Sequence, residues 1–211
     1  LDGYTQGQLT DVYNDYFYRR QEEFWRERGM TKLPAMKEAT NMLICGEDLG
    51  MVPNCVPEVM KDLGILSLEI QRMAKNPETE FLAAADIPYW SVCSPSTHDM
   101  SPIRLWWEEE TPERRQRFCN RELGWWGDGP ETCTPDLARA IILQHLSWPT
   151  MWTVFPLQDM LAIDGDLRHP DPAAERINIP AITQHYWRYR MHLSVEDLLA
   201  ADDYNNHFRE M

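Results

Sequence analysis

The sequence predicts an α/β fold built from β/α units, about four strands among abundant helices. Three observations predict it. Four short segments of strand character, "NMLICGED", "GILSLEIQR", "YWSVCSPS" and "WTVFPLQD", are bounded by turn residues, and each runs into a loop and then a helical stretch. Within the second, "LSLEIQ" alternates: Leu66, Leu68 and Ile70 share one face, and Ser67, Glu69 and Gln71 the other, as in a strand with one polar, lumen-facing side. Helices open repeatedly on Ser-Pro or Thr-Pro, which combine an N-cap with a first helical residue that needs no amide partner. Four β/α units are half of an eightfold barrel, which needs eight strands and typically ~250 residues. The 211 residues hold no second set of four, so the pattern reads as the latter half of such a barrel.

Each helix has its own signal. "LTDVYNDYFYRRQEEFWRERG" reads as an N-terminal helix stopped by Gly29, and "PEVMKDLG" as a helix between Pro57 and Gly64. Ser101-Pro102, Thr111-Pro112 and Thr134-Pro135 mark three further starts, the second helix ending at Gly124 and the third before Pro149. "SVEDLLAADDYNNHF" begins on Ser194 with an acid three residues on, a capping-box pattern, and reads as one closing helix.

Composition narrows function. A formal charge of -14 repels phosphate backbones and anionic lipid surfaces, which argues against nucleic-acid and membrane partners. No apolar run approaches the ~20 residues of a membrane span, and no signal-peptide pattern opens the chain. Five scattered cysteines without a C-x-x-C pair point to a reducing, cytoplasmic setting, with neither a disulfide framework nor a metal site. Nine tryptophans are many for this length; most are expected in the core, with one or two free to stack on a sugar face.

Barrel enzymes place reacting groups at the C-terminal ends of strands. Glu47 and Asp48 end the first strand segment, and His98 and Asp99 follow the third. Side chains alternate along a strand, so one of Glu47 and Asp48 faces the mouth and the other braces the shell. Spacing alone leaves blander roles open: acids at strand ends also hold loop backbone, Asp99 could cap the helix near Pro102, and His98 could be a satisfied loop histidine. A second acid across the same mouth favours glycoside chemistry, in which one group protonates and another stabilises positive charge.

"ICGEDLGMVPNCVPEVMKDLGILSLEIQRM" and "SVCSPSTHDMSPIRLWWEEE", continued by "AIILQHLSWPTMWTVFPLQDML" and "ERINIPAITQHYWRYRMHLSVEDLL", resemble the 4-alpha-glucanotransferases (amylomaltases, disproportionating enzymes) of glycoside hydrolase family 77. The likeness runs from about Asn41 onward and leans to the branch found in plant cytosol and Bacteroides-like bacteria. It implies a cofactor-free retaining mechanism on maltose, maltodextrins or starch- and glycogen-like glucans. Glu47 matches the general acid/base, Asp99 the carboxylate that stabilises the transition state, and His98 its sugar-binding neighbour. Asn178 in "ERINIPA" matches a donor-site segment in which Ala181 replaces the usual glycine. Trp106 and Trp107 are candidate acceptor platforms or, equally, pack the helix after Asp99 against the barrel, and burial beside aromatic rings is expected to raise the pKa of Glu47.

The family's nucleophile, an aspartate in an R-x-D-H-like segment, has no counterpart in these 211 residues. The expectation is therefore that residues 1–211 are the C-terminal part of one catalytic barrel, inactive alone and prone to self-association through an uncovered half-barrel face. A non-catalytic glucan-binding half-barrel and a purely structural module are the competing readings.

Overall fold

The computed structural model describes residues 1–50 and 52–211, and the chain divides into two compact units. The first comprises Leu1–Glu69, Pro88–Val92 and Thr150–Trp152; the second comprises Ile70–Ile87, Cys93–Pro149 and Thr153–Met211.

In the first unit, Asp2 caps helix α1 (Gly3–Asp15) by accepting the Thr5 amide at 2.8 Å. The helical path continues through a wider π turn, Tyr16–Arg20, into α2 (Gln21–Glu38). Gly29 therefore does not stop the helix, contrary to its sequence signature, and α2 runs on through Pro34. The reason is packing: a Cβ on Gly29 would sit 3.3 Å from Val59 Cγ1. Glycine there lets α2 approach α3 (Val56–Leu63) closely. Met30 and Leu33 of α2 then cover Val59, Met60, Leu63 and Ile65. α3 ends as expected, with Gly64 in the left-handed region at φ 62°.

Strands β1 (Ser67–Glu69), β2 (Ser91–Cys93) and β3 (Trp152–Thr153) form a parallel sheet in the order β1-β2-β3. The fourth expected strand, "NMLICGED", is reduced to a single parallel bridge between Cys45 and Leu66. Leu66 exchanges bonds with Ile44 O and Gly46 N, at 3.0 and 2.8 Å. The next amide, Leu68 N, goes to Asp48 Oδ1 at 2.9 Å, so a side chain takes the place of the next backbone carbonyl and the ladder stops. The polar face of "LSLEIQ" exists but is covered: Glu69 and Gln71 are buried along with Leu66 and Ile70. Ser67 Oγ donates to Glu69 Oε1 at 2.8 Å, and Gln71 Nε2 donates to Gln144 Oε1 at 2.7 Å.

The second unit is helical, and the larger of its apolar clusters gathers around Phe118. Thr111 caps α5 (Pro112–Phe118), which follows α4 (Ile103–Glu109), and Thr134 caps α6 (Pro135–Leu146), each accepting the amide three residues on. Phe118 lies edge-on to Phe81, Trp106 and Trp107 at 5.1–5.8 Å between ring centres. Ile103, Leu137, Ile141 and Ile142 pack around this aromatic knot. Two helices differ from expectation. α4 (Ile103–Glu109) starts one residue later than Ser101-Pro102 implies, because its first amide, Ile103 N, is taken at 2.7 Å by the distant Asp159 of α7 (Leu157–Leu161). The closing segment is two helices, α8 (Val195–Ala200) and α9 (Asp202–Arg209). Ser194 and Asp197 form the capping box, but Ala201 leaves the helical region at ψ 66°, and Asn205 Nδ2 joins Ala201 N in donating to the Leu198 carbonyl.

Candidate active site

The loop after β2 is folded by its own small polar residues. Ser94 Oγ donates to Ser96 O at 2.6 Å, and Met100 N returns to Thr97 O at 3.3 Å, closing a turn around His98 and Asp99. His98 Nε2 lies 3.2 Å from Asp99 Oδ2, and both side chains are about half exposed, at 53% and 52%. The segment after the short 3₁₀ turn Pro172–Glu175 runs alongside. Asn178 N donates to His98 O at 3.2 Å, and Asn178 Nδ2 donates to Asp99 Oδ1 at 2.6 Å. The Asp99 carboxylate thus has one oxygen on an amide and the other beside an imidazole, an orientation fixed before any ligand arrives.

Asp99 opens onto a cleft of about 280 Å³, also lined by Arg72, Ser101, Trp106, Glu110 and Arg176. Arg176 braces this wall from Nε to Asn178 O at 3.0 Å and from Nη1 to Ser101 Oγ at 3.1 Å. Arg72 lies 5.0 Å from the centre of the Trp106 ring and donates to Ser101 O; burial pushes its pKa down to about 10, leaving it cationic at neutral pH. Among the described residues, no group of three or more His, Cys, Asp or Glu is disposed to hold a metal ion.

The structure brings together Asp99, His98 and Asn178 in the second unit; Glu47 belongs to the first. There the two acids of E-D-L-G part company. Asp48 is buried and braces β1, whereas Glu47 is exposed, its Oε1 accepting the Leu49 amide at 2.9 Å. The aromatic burial expected around Glu47 is not found. Of the two roles open to Trp106 and Trp107, the structure gives them the packing one. Trp107 is wholly buried with Nε1 on Pro130 O at 2.8 Å, so it has no free face for a sugar; Trp106 is nearly so, its Nε1 tied to Glu110 Oε1 at 2.5 Å. The indole that meets the site is Trp187, 60% exposed and 5.0 Å from the His98 ring. Arg176 and Arg72 line the cleft beside Asp99; Arg176 stands in the family-like segment "ERINIPA", whereas Arg72 had no local signal of a role. Ala181 causes no strain, because no non-glycine described residue has a positive φ.

The chain is thus of the α/β class, with His98, Asp99 and Asn178 meeting after a parallel strand. Residues 4–195 match the family described as "4-alpha-glucanotransferase" (glycoside hydrolase 77), and the chain belongs to that family. It is 41% identical over 211 residues to 4-alpha-glucanotransferase DPE2 of Oryza sativa subsp. japonica, which covers 100% of this chain and 22% of the relative. With a 4-alpha-glucanotransferase of Chlamydia caviae it shares 33% identity over 181 residues, covering 84% of this chain and 33% of that one. In fold it is similar to an amylomaltase from Streptococcus agalactiae in complex with acarbose (TM-score 0.64, 19% identity, covering 86% of this chain and 34% of that one). An amylomaltase from Corynebacterium glutamicum is a second likeness (TM-score 0.57, 17% identity, covering 77% and 27%). The chain thus spans between about a fifth and a third of the relatives it matches.

Proposed function

We propose that residues 1–211 form the C-terminal half of a 4-alpha-glucanotransferase barrel, carrying its acid/base and its transition-state carboxylate. The observation that carries this reading is the Asp99 carboxylate, held by Asn178 and set beside His98 at the edge of an open cleft, in a chain of this family. Glu47 protonates the departing glycosidic oxygen. Once ionised, it takes a proton from the 4-hydroxyl of an incoming glucan. Asp99 faces the oxocarbenium-like charge at the donor sugar, and His98 and Asn178 hold that sugar's hydroxyls. The exposed Glu47 is free to meet a substrate, while Asp48 keeps its strand end in place. The covalent glycosyl intermediate needs a nucleophile that these residues lack. Substrates are maltose, maltodextrins or starch- and glycogen-like glucans, and the setting is cytoplasmic, in keeping with five free cysteines.

A second reading is a glucan-binding half-barrel without turnover. Both readings require the chain to bind maltoheptaose, followed by calorimetry, and Asp99→Asn or Asn178→Ala to weaken that binding. A chain that ignores maltoheptaose sinks both. Turnover separates them: in a longer chain that supplies the nucleophile, Glu47→Gln abolishes transfer between maltodextrins and keeps binding, and transfer surviving the change removes the acid/base assignment. An uncovered half-barrel face also predicts self-association, which a monomeric mass by light scattering would refute.

A further inference from the structure

The first turn of α7 carries two adjacent polar residues, Gln158 and Asp159, and both are buried, Asp159 completely. Buried polar groups are retained where they are bonded, and the partners here lie on two different segments. Asp159 Oδ2 accepts the Ser96 hydroxyl, and Asp159 Oδ1 accepts Ile103 N at 2.7 Å. Ser96 precedes His98 and Ile103 follows Asp99, so one carboxylate grips both ends of the turn that presents them. Gln158 Nε2 donates at 3.1 Å to the carbonyl of Glu175, immediately before Arg176 and Asn178. The two segments joined by the Asn178–Asp99 bond are therefore both anchored to the first turn of α7.

We propose that Asp159 is a positioning residue, assisted by Gln158, that fixes the His98–Asp99 turn against the Asn178 segment and so sets the direction in which the Asp99 carboxylate points. A general role in the core predicts something different. Asparagine at 159 can still accept from Ile103 N through its oxygen and donate to Ser96 Oγ through its amide, whereas leucine, of similar size, can do neither. The consequence for ligand rests on the glucan reading above; the consequence for the turn does not.

The test uses the chain with Asp159→Asn, Asp159→Leu and, as a control, Leu161→Ala, which opens the core two residues further along α7 and removes none of these hydrogen bonds. Two quantities are read: the imidazole proton shifts of His98, which feel the ring current of Trp187, and the affinity for maltoheptaose. Asp159→Asn should keep both, with affinity within about threefold, and Asp159→Leu should move the His98 signals and weaken binding about tenfold or more. Leu161→Ala should lower the thermal midpoint while leaving both readouts near the parent. A folded Asp159→Leu chain with parental His98 signals overturns the proposal, as does a Leu161→Ala chain that moves them equally. Should Asp159→Leu not fold, Ser96→Ala and Gln158→Leu each release one grip; displaced His98 signals support the proposal, and parental signals in both overturn it. If the parent chain itself ignores maltoheptaose, the glucan reading falls and the His98 signals alone decide the positioning role.

Discussion

Replacing Asp48 with alanine removes the acceptor that terminates the Cys45–Leu66 ladder. The side chain is 3% exposed, and its carboxylate takes the Leu68 amide at 2.9 Å. Without it, a β1 amide loses its partner inside the protein, and a hydrogen bond to a charged acceptor is worth about 2 kcal/mol. At a urea slope of about 2 kcal/mol per molar, the unfolding midpoint should fall by about 1 M. Asparagine keeps one oxygen in place and should recover at least half of that loss. Amide exchange gives a local check: Gly46, Leu66 and Leu68 should exchange faster in Asp48→Ala, because the bridge and the side-chain bond support each other. An alanine variant whose midpoint stays within about 0.2 M of the parent would refute the bracing role. So would an asparagine variant as unstable as alanine.

Three further outcomes follow from single features. Gly64→Ala forces a Cβ into the left-handed stop of α3 at φ 62° and should cost about 1–2 kcal/mol by chemical denaturation, whereas parental stability would mean the turn has relaxed. Burial pushes the His145 pKa down to about 4, well below its unfolded value. The unfolded chain then binds a proton that the folded chain refuses, so stability should be full above about pH 6.5 and fall by up to about 3 kcal/mol as pH drops toward 4. His145→Asn should flatten this dependence in denaturation curves taken across the window. Arg104 and Glu175 are a buried pair at 2.9 Å, with Arg104 Nε and Glu175 Oε2 otherwise unpartnered. Arg104→Met should cost about 3–5 kcal/mol by stranding the carboxylate, and adding Glu175→Leu should restore most of it; equal losses in the single and double variants would refute the coupling.

What the sequence reveals and what it hides divide by the range of the interaction that decides each element. Thr111, Thr134 and Ser194 cap their helices as read, because a cap bonds an amide three residues away and needs nothing else. Gly64 stops α3, and Gly124 ends the π turn Cys119–Leu123 that continues α5, for the same local reason, a positive φ, while Gly29 carries the same letter and is consumed by the approach of Val59. The strand at residues 41–48 fails because a ladder is settled by its neighbour, here by which group answers Leu68 N. The candidate site follows the same rule. Asp99, His98 and Asn178 were legible through motif resemblance, and their meeting is the geometry described. Trp106 and Trp107 look like sugar platforms in a list of aromatic residues, yet they pack edge-on against each other and against Phe118 in the core.

Asp159 is the extreme case of a residue whose meaning lies elsewhere in the chain. Within "WTVFPLQDML" it is one acid at a helix start, where a dipole argument is explanation enough. Its partners sit 63 and 56 residues away, on either side of the turn that presents Asp99. A buried carboxylate is expensive, and burial pushes this one's pKa upward. A hydroxyl and an amide aimed at it from separate segments offset that cost only while both segments stay in register. The same cost that makes Asp159 a poor choice for an ordinary core position makes it an effective clamp: if the turn drifts, the carboxylate is stranded. That coupling is why the Leu161→Ala control is decisive, since loss of apolar packing alone carries no such demand on where His98 and Asp99 must be.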